Sequence, residues 1–196
     1  MEPKFYINEG RRCAQTAIKM VATQESISLK KLDQLTGRKP TQISVPIQIA
    51  YALQGLGIDF YYPVKPLFKD GSIPELIDET LKVFGPEILA QTNLDFIEKA
   101  WRSLQEKHRY SLDGKPSLSD EISFGRHPIC LINYDIFVRR ENKNNGHYLV
   151  LLELEKDIAK IMDSGPCNAN PNLKISRKRL EDSLMETPLD YGLIFV

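Results

Sequence analysis

Gly146-His147-Tyr148-Leu149-Val150-Leu151-Leu152-Glu153-Leu154, then Glu155-Lys156-Asp157, then Ile158-Ala159-Lys160-Ile161-Met162-Asp163, is the stretch on which the fold turns. Its two outer runs are rich in apolar and β-branched residues and read as strands. The three charged residues between them make a natural hairpin connection. Antiparallel pairing sets the start of the first strand beside the end of the second. His147 and Asp163 then become neighbours at one edge of a sheet.

Outward from this pair, Pro128 to Tyr134 is a near-continuous apolar strand, and a charged, asparagine-rich loop from Arg139 to Asn145 leads into Gly146. Downstream, Ser176 to Met185 reads as a helix and Tyr191 to Val196 as a last strand. The first half is helical. Ser28 opens a short helix, Leu29 to Leu35, closed by Gly37 and Pro40. Thr41 is the candidate cap of a longer one through Ile43, Ile47, Ala50, Leu53 and Leu56, in which Pro46 sets either the true start or a kink. Ile58 to Val64 reads as a strand or extended segment. Ser72-Ile73-Pro74 opens a helix from Glu75 to about Phe84, stopped by Gly85-Pro86. Thr92-Asn93 caps another, with Leu94, Ile97, Ala100, Trp101 and Leu104 on one stripe, and Ser117 to Phe124 forms a short one. Helices first and strands later predict an α+β fold rather than alternating units. Without an internal repeat, the 196 residues are expected to form one domain, with a helical region of roughly 25–125 between the first helix and the sheet.

That first helix carries the residue with the sharpest chemistry. In Asn8-Glu9-Gly10-Arg11-Arg12-Cys13-Ala14-Gln15-Thr16-Ala17-Ile18-Lys19-Met20-Val21, a polar, glycine-containing segment runs into helical spacing of Ala14, Ala17, Ile18 and Val21. Cys13 falls at the first turn, where unsatisfied amides, the helix dipole, Arg11 and Arg12 all favour the reactive thiolate. A cysteine, a histidine on a strand and a carboxylate ending the next strand suggest a nucleophile, its base and the group that orients the base.

Bulk properties narrow the classes. Formal net charge is zero, which argues against a general nucleic-acid or anionic-membrane binder. No apolar run approaches the roughly 20 residues needed to span a bilayer, and Met1-Glu2-Pro3-Lys4 lacks the apolar core of a signal peptide. Three cysteines without paired spacing make neither a disulfide framework nor a zinc ribbon, so a reduced cytoplasmic setting is expected. Cys13, His147, Asp163 and Cys167 could in principle surround zinc, but no close ligand pair supports it. No metal or cofactor is expected.

Three segments together resemble a known group: Cys-Ala-Gln-Thr-Ala-Ile-Lys-Met-Val at 13–21, Gly-His-Tyr-Leu-Val-Leu at 146–151 and Ile-Met-Asp-Ser-Gly-Pro at 161–166. The chain resembles the bacteriocin-processing, double-glycine-leader peptidase family and its stand-alone relatives, within the papain-like cysteine peptidase superfamily. The resemblance covers both ends and leaves roughly residues 25–125 weakly matched. It implies a papain-like fold, a peptide or protein substrate, Cys13 as nucleophile, His147 as general base and acid, and Asp163 as orienting carboxylate. The family places an oxyanion-hole glutamine six residues before the cysteine, where this chain has Ile7. Asn8 is the candidate donor instead, with Gln15 on the helix a poorer one. Losing one such donor typically lowers turnover on the order of 100- to 1000-fold. A catalytically weak peptide-binding module and an acyltransferase using the same three residues are the alternatives.

Other side chains have plainer explanations. Cys130 lies in an apolar strand and Trp101 on an apolar stripe, so both are expected in the core. His108 ends a helix, His127 precedes Pro128 at a strand's start, and Arg177-Lys178-Arg179 reads as a solvated helix face. Phe60, Tyr61 and Tyr62 fit a cleft lining or strand packing equally well. Arg139 to Lys143 is a candidate flap.

Overall fold

A computed structural model describes residues 2–22, 26–40, 42–65, 90–141, 145–165, 169–187 and 190–196 of the chain. The expected helix from Glu75 to Phe84, the Thr41 cap, Cys167, and Asn142 and Lys143 of the candidate flap lie outside them. Among the described residues, four helices come first: α1 (Cys13–Ala22), α2 (Leu29–Leu35), α3 (Pro46–Gly55) and α4 (Leu94–Glu106). A short α5 (Leu118–Ser123) precedes β1 (Pro128–Asn133) and a single turn, α6 (Tyr134–Phe137). Then follow β2 (Gly146–Leu154), β3 (Ile158–Asp163), β4 (Asn170–Ser176), α7 (Arg177–Ser183) and β5 (Leu193–Phe195). The sheet is antiparallel throughout, in the order β4-β3-β2-β1-β5. The fold is α+β.

The elements start where local chemistry lets them. Ser28, Asn93, Ser117 and Ser176 cap α2, α4, α5 and α7 by accepting from a backbone N–H three residues on. Pro46 sets the true start of α3, its fixed φ and missing N–H suiting the first helical position. The strand expected to run through Tyr134 stops at Asn133, whose side chain accepts from the N–H groups of Asp135 and Ile136 and turns the chain into α6. Between Ile58 and Val64 no regular strand forms, and among the described residues Tyr61, Pro63 and Val64 make isolated bridges, such as Tyr61 to Phe195.

Two apolar layers cover the sheet. On one face, α1 and α3 lie against the sheet and α4 packs on α3, so that Ile18, Leu53 and Trp101 share one cluster with Ile129, Tyr148 and Val150. Of the expected stripe, Ile97, Ala100, Trp101 and Leu104 are buried, while Leu94 at the helix start is half-buried. On the other face Cys130, Ile132, Phe137, Leu149, Ile161, Leu180 and Phe195 form the second cluster. Burial pushes the Cys130 thiol up to about 12, as suits a core residue.

Tyr62 belongs to this framework rather than to a cleft. Its hydroxyl donates to Asp190 Oδ2 at 2.6 Å, and both side chains are buried. Burial raises the Asp190 carboxyl to about 6, against hydrogen bonds from Tyr62, Gly192 and Thr187 that lower it. An unfolded Asp titrates near 3.9, so the native state holds this proton more tightly. The stability Asp190 lends is therefore fully present below about pH 4 and lost as pH rises through about 6. Asp190→Asn, which keeps an acceptor for Tyr62, is expected to flatten the stability curve across that window. Urea unfolding of both proteins at several pH values in it measures the difference.

Candidate active site

The β2–β3 hairpin is closed through Glu155 N–H to the Ile158 carbonyl, with Val150 opposite Met162. Continuing that register by one residue sets Leu149 opposite Asp163. His147, two residues earlier on the same face, then lies diagonal to the carboxylate, within reach of long side chains. His147 Nε2 and Asp163 Oδ1 are 2.8 Å apart, and both residues are almost fully buried. The ring nitrogen that faces a carboxylate carries the hydrogen, so Nε2–H donates. Oδ1 also accepts from the Gly165 backbone N–H at 3.0 Å. The ring edge of Tyr134 stands against the imidazole, with centroids 5.1 Å apart. Together these contacts fix the imidazole plane.

With Nε2 engaged by Asp163, Nδ1 is left for the sulfur. Cys13 is half-buried at the first position of α1, which packs on β2, and its thiol lies near enough to His147 for the ring to weigh on its titration. Burial raises the Cys13 pKa, but the hydrogen bond and charge of His147, with backbone N–H groups of Tyr148 and Ala14, bring it below its ordinary value. Burial likewise works against a charged His147, yet its hydrogen bonds to Asp163 and Cys13 and their charges raise it to about 9. The thiol is thus shifted down and the imidazole up, each with the other among its causes. Arg12 contributes elsewhere: its Nε donates to Asp33 Oδ2 at 2.8 Å.

Asn8 lies on the rim of this site. Its backbone N–H donates to the Ser164 carbonyl at 3.0 Å, next to Asp163. Its side-chain Oδ1 accepts from the Arg12 N–H at 2.7 Å, which turns the amide into the segment just before Cys13. Ile7 points to solvent at 64 % exposure. Gln15 is buried and donates to Thr36 Oγ1 and Ser44 Oγ, so both its N–H bonds are engaged away from the sulfur. Tyr148, read in the sequence only as part of an apolar strand, donates its hydroxyl to the Ser44 carbonyl at 3.1 Å. Gln15 and Tyr148 thus tie α1 and β2 to the same residue ahead of α3, which holds the cysteine helix against the histidine strand. Neither role has a local sequence signal, because both depend on where Ser44 lands.

Among the described residues no cluster of three or more His, Cys, Asp or Glu side chains is placed to hold a metal ion. Among them, too, no helix is long and apolar enough to cross a membrane.

No protein-family model and no curated protein matches the chain. Among solved structures it is similar to the peptidase domain of Streptococcus ComA, a bi-functional ABC transporter involved in a quorum-sensing pathway. Identity is 14 % with a TM-score of 0.53, covering 100 % of this chain and 97 % of that one. It is also similar to a double-glycine-motif protease from an AMS/PCAT transporter, solved with a leader peptide. There identity is 12 % and the TM-score 0.49, with 100 % and 90 % covered. The likeness to the ComA domain is one of fold: the chain shares the mixed helix and antiparallel-sheet architecture of that peptidase domain.

Proposed function

We propose that the chain is a cysteine peptidase that cleaves a peptide or protein through an acyl-enzyme on Cys13. What supports this is the buried His147–Asp163 contact on the strand pair against which the helix of Cys13 packs, with the thiol shifted down and the imidazole up. The Cys13 thiolate attacks the scissile carbonyl carbon, forming the C–S bond while the carbonyl electron pair moves to oxygen. The Cys13 backbone N–H, at a helix position without an intrahelical acceptor, and the Asn8 amide serve as donors to that oxyanion. Collapse breaks the C–N bond as protonated His147 gives its proton to the leaving amine. Water then attacks the thioester, His147 takes a proton from it, and the thiolate leaves. Asp163 keeps the ring in register throughout.

Acylation needs Cys13 ionised and His147 protonated. Cleavage is therefore expected to fall as pH rises through about 9, where His147 loses its proton. A pH series of kcat/KM on any cleaved peptide measures the descending limb.

A peptide-binding module that cleaves weakly is the second reading, favoured by Ile7 pointing outward where the related family carries its amide. An acyltransferase differs only in an amine or thiol replacing water at the second step. Digestion of a peptide library by the protein and by Cys13→Ala separates them. New termini lost in Cys13→Ala support the peptidase. Identical product profiles contradict it, and ligated or amine-capped products mark a transferase.

A further inference from the structure

We propose that Arg38 is a positioning residue for Cys13: its buried guanidinium clamps the main chain just ahead of the cysteine and sets where the sulfur meets His147. The inference rests on Cys13 being the nucleophile. Arg38 sits in a turn after α2, with only 3 % of its side chain exposed. One Nη2 donates toward the carbonyls of Gly10 at 3.4 Å, Arg11 at 3.3 Å and Pro40 at 3.3 Å. Nη1 donates to Asp33 Oδ1 at 3.3 Å, and Asp33 Oδ2 receives Arg12 Nε. One carboxylate and one guanidinium therefore grip three consecutive residues, Gly10, Arg11 and Arg12, immediately before the nucleophile.

The gripped backbone is unusual. Gly10 and Arg11 both have φ of 60°, the left-handed region, which glycine enters freely and arginine only at a penalty. Such strain persists where surrounding contacts over-determine it, and it concentrates at functional sites. Here the contacts are the guanidinium below the loop and Asn8 Oδ1 on the Arg12 N–H above it. A relaxed loop would let the first turn of α1 fray and carry Cys13 out of line with an imidazole that is rigidly fixed by Asp163, Gly165 and Tyr134.

Position and charge have to be separated, because a cation near the site also favours a thiolate. Lysine keeps the charge but lacks the planar fork that reaches several acceptors at once. The test is the iodoacetamide rate at Cys13, resolved by peptide mass spectrometry over a pH series, for the native chain, Arg38→Lys and Arg38→Gln. The groups facing the sulfur are His147 and Tyr148 from β2, with Asp163 of β3 behind the ring, and all are unchanged in both variants. Buried Cys130 reports folding, so rates are taken on molecules in which it stays unlabelled.

The expected result is a low midpoint for the native chain and, in both variants, a midpoint raised by about one unit, with the rate at pH values below the native midpoint about tenfold lower. A native-like rate and midpoint in Arg38→Lys would overturn the clamp even if Arg38→Gln is slow, since charge alone would then suffice. An ordinary thiol midpoint in the native chain itself would remove the peptidase reading, and the clamp with it.

Discussion

His147→Ala is expected to reduce peptide turnover on the order of 10⁴- to 10⁶-fold, the range seen when the base of a nucleophile–base pair is removed from a hydrolase. The physical reason is double. Without the imidazole, Cys13 loses the hydrogen bond and charge that hold its pKa down, while the burial that raises it remains. The leaving amine also loses the proton that His147 is proposed to give it. A thiol titrating near 9 is about 1 % ionised at neutral pH, so alkylation of Cys13 should slow by roughly 10- to 100-fold. The much larger loss in turnover than in alkylation distinguishes a general acid from a mere activator. Turnover and alkylation rates measured side by side on His147→Ala check both. Equal losses in the two would argue that His147 only tunes the thiol.

Gly192→Ala is expected to be the most destabilising single substitution considered, by about 3–5 kcal/mol. Gly192 has φ of 67°, and a Cβ there would lie 1.9 Å from the Met185 carbonyl oxygen and 3.3 Å from Leu131 Cβ. The obstruction is backbone, not a side chain that can swing away. Leu131 donates its N–H to the Gly192 carbonyl and accepts from Met185 N–H, so three segments meet there. Relief would require β5 to part from β1, at the centre of the second apolar cluster. Against a total stability of 5–15 kcal/mol for typical domains, such a loss leaves a marginal protein. Chemical denaturation of the folded variant, or its absence from the soluble fraction, reads the effect. A change below about 1 kcal/mol would show that the strands meet differently.

The placement of His147 beside Asp163 is legible because a strand's two-residue period and a short connector leave little freedom. The helix beginning at Cys13 and the buried stripe through Trp101 are legible for the same reason, periodicity. Elements without it are not. Strand β4 has no such pattern: Asn170, Pro171, Asn172 and Lys174 are polar or helix-breaking, and only Ile175 is buried, as suits an edge strand defined by its partner β3. Helix α6 is hard to see because Tyr134, Ile136 and Phe137 prolong the apolar run of β1, and the turn is set by the Asn133 side chain. Arg38 carries no local sequence signal, because its burial depends on a loop 27 residues upstream. Arg11 and Arg12 look like cations placed for the thiolate, yet Arg12 answers Asp33, a partner no local spacing reveals.

Selective alkylation of the native chain tests the central claim most directly: iodoacetamide at mildly acidic pH, with Cys13 and Cys130 quantified separately by mass spectrometry. A thiolate paired with His147 predicts rapid labelling of Cys13 where an ordinary thiol is protonated and slow, while Cys130, fully buried and pushed up to about 12, stays unmodified. Labelling of Cys13 no faster than a free cysteine at that pH would contradict the account.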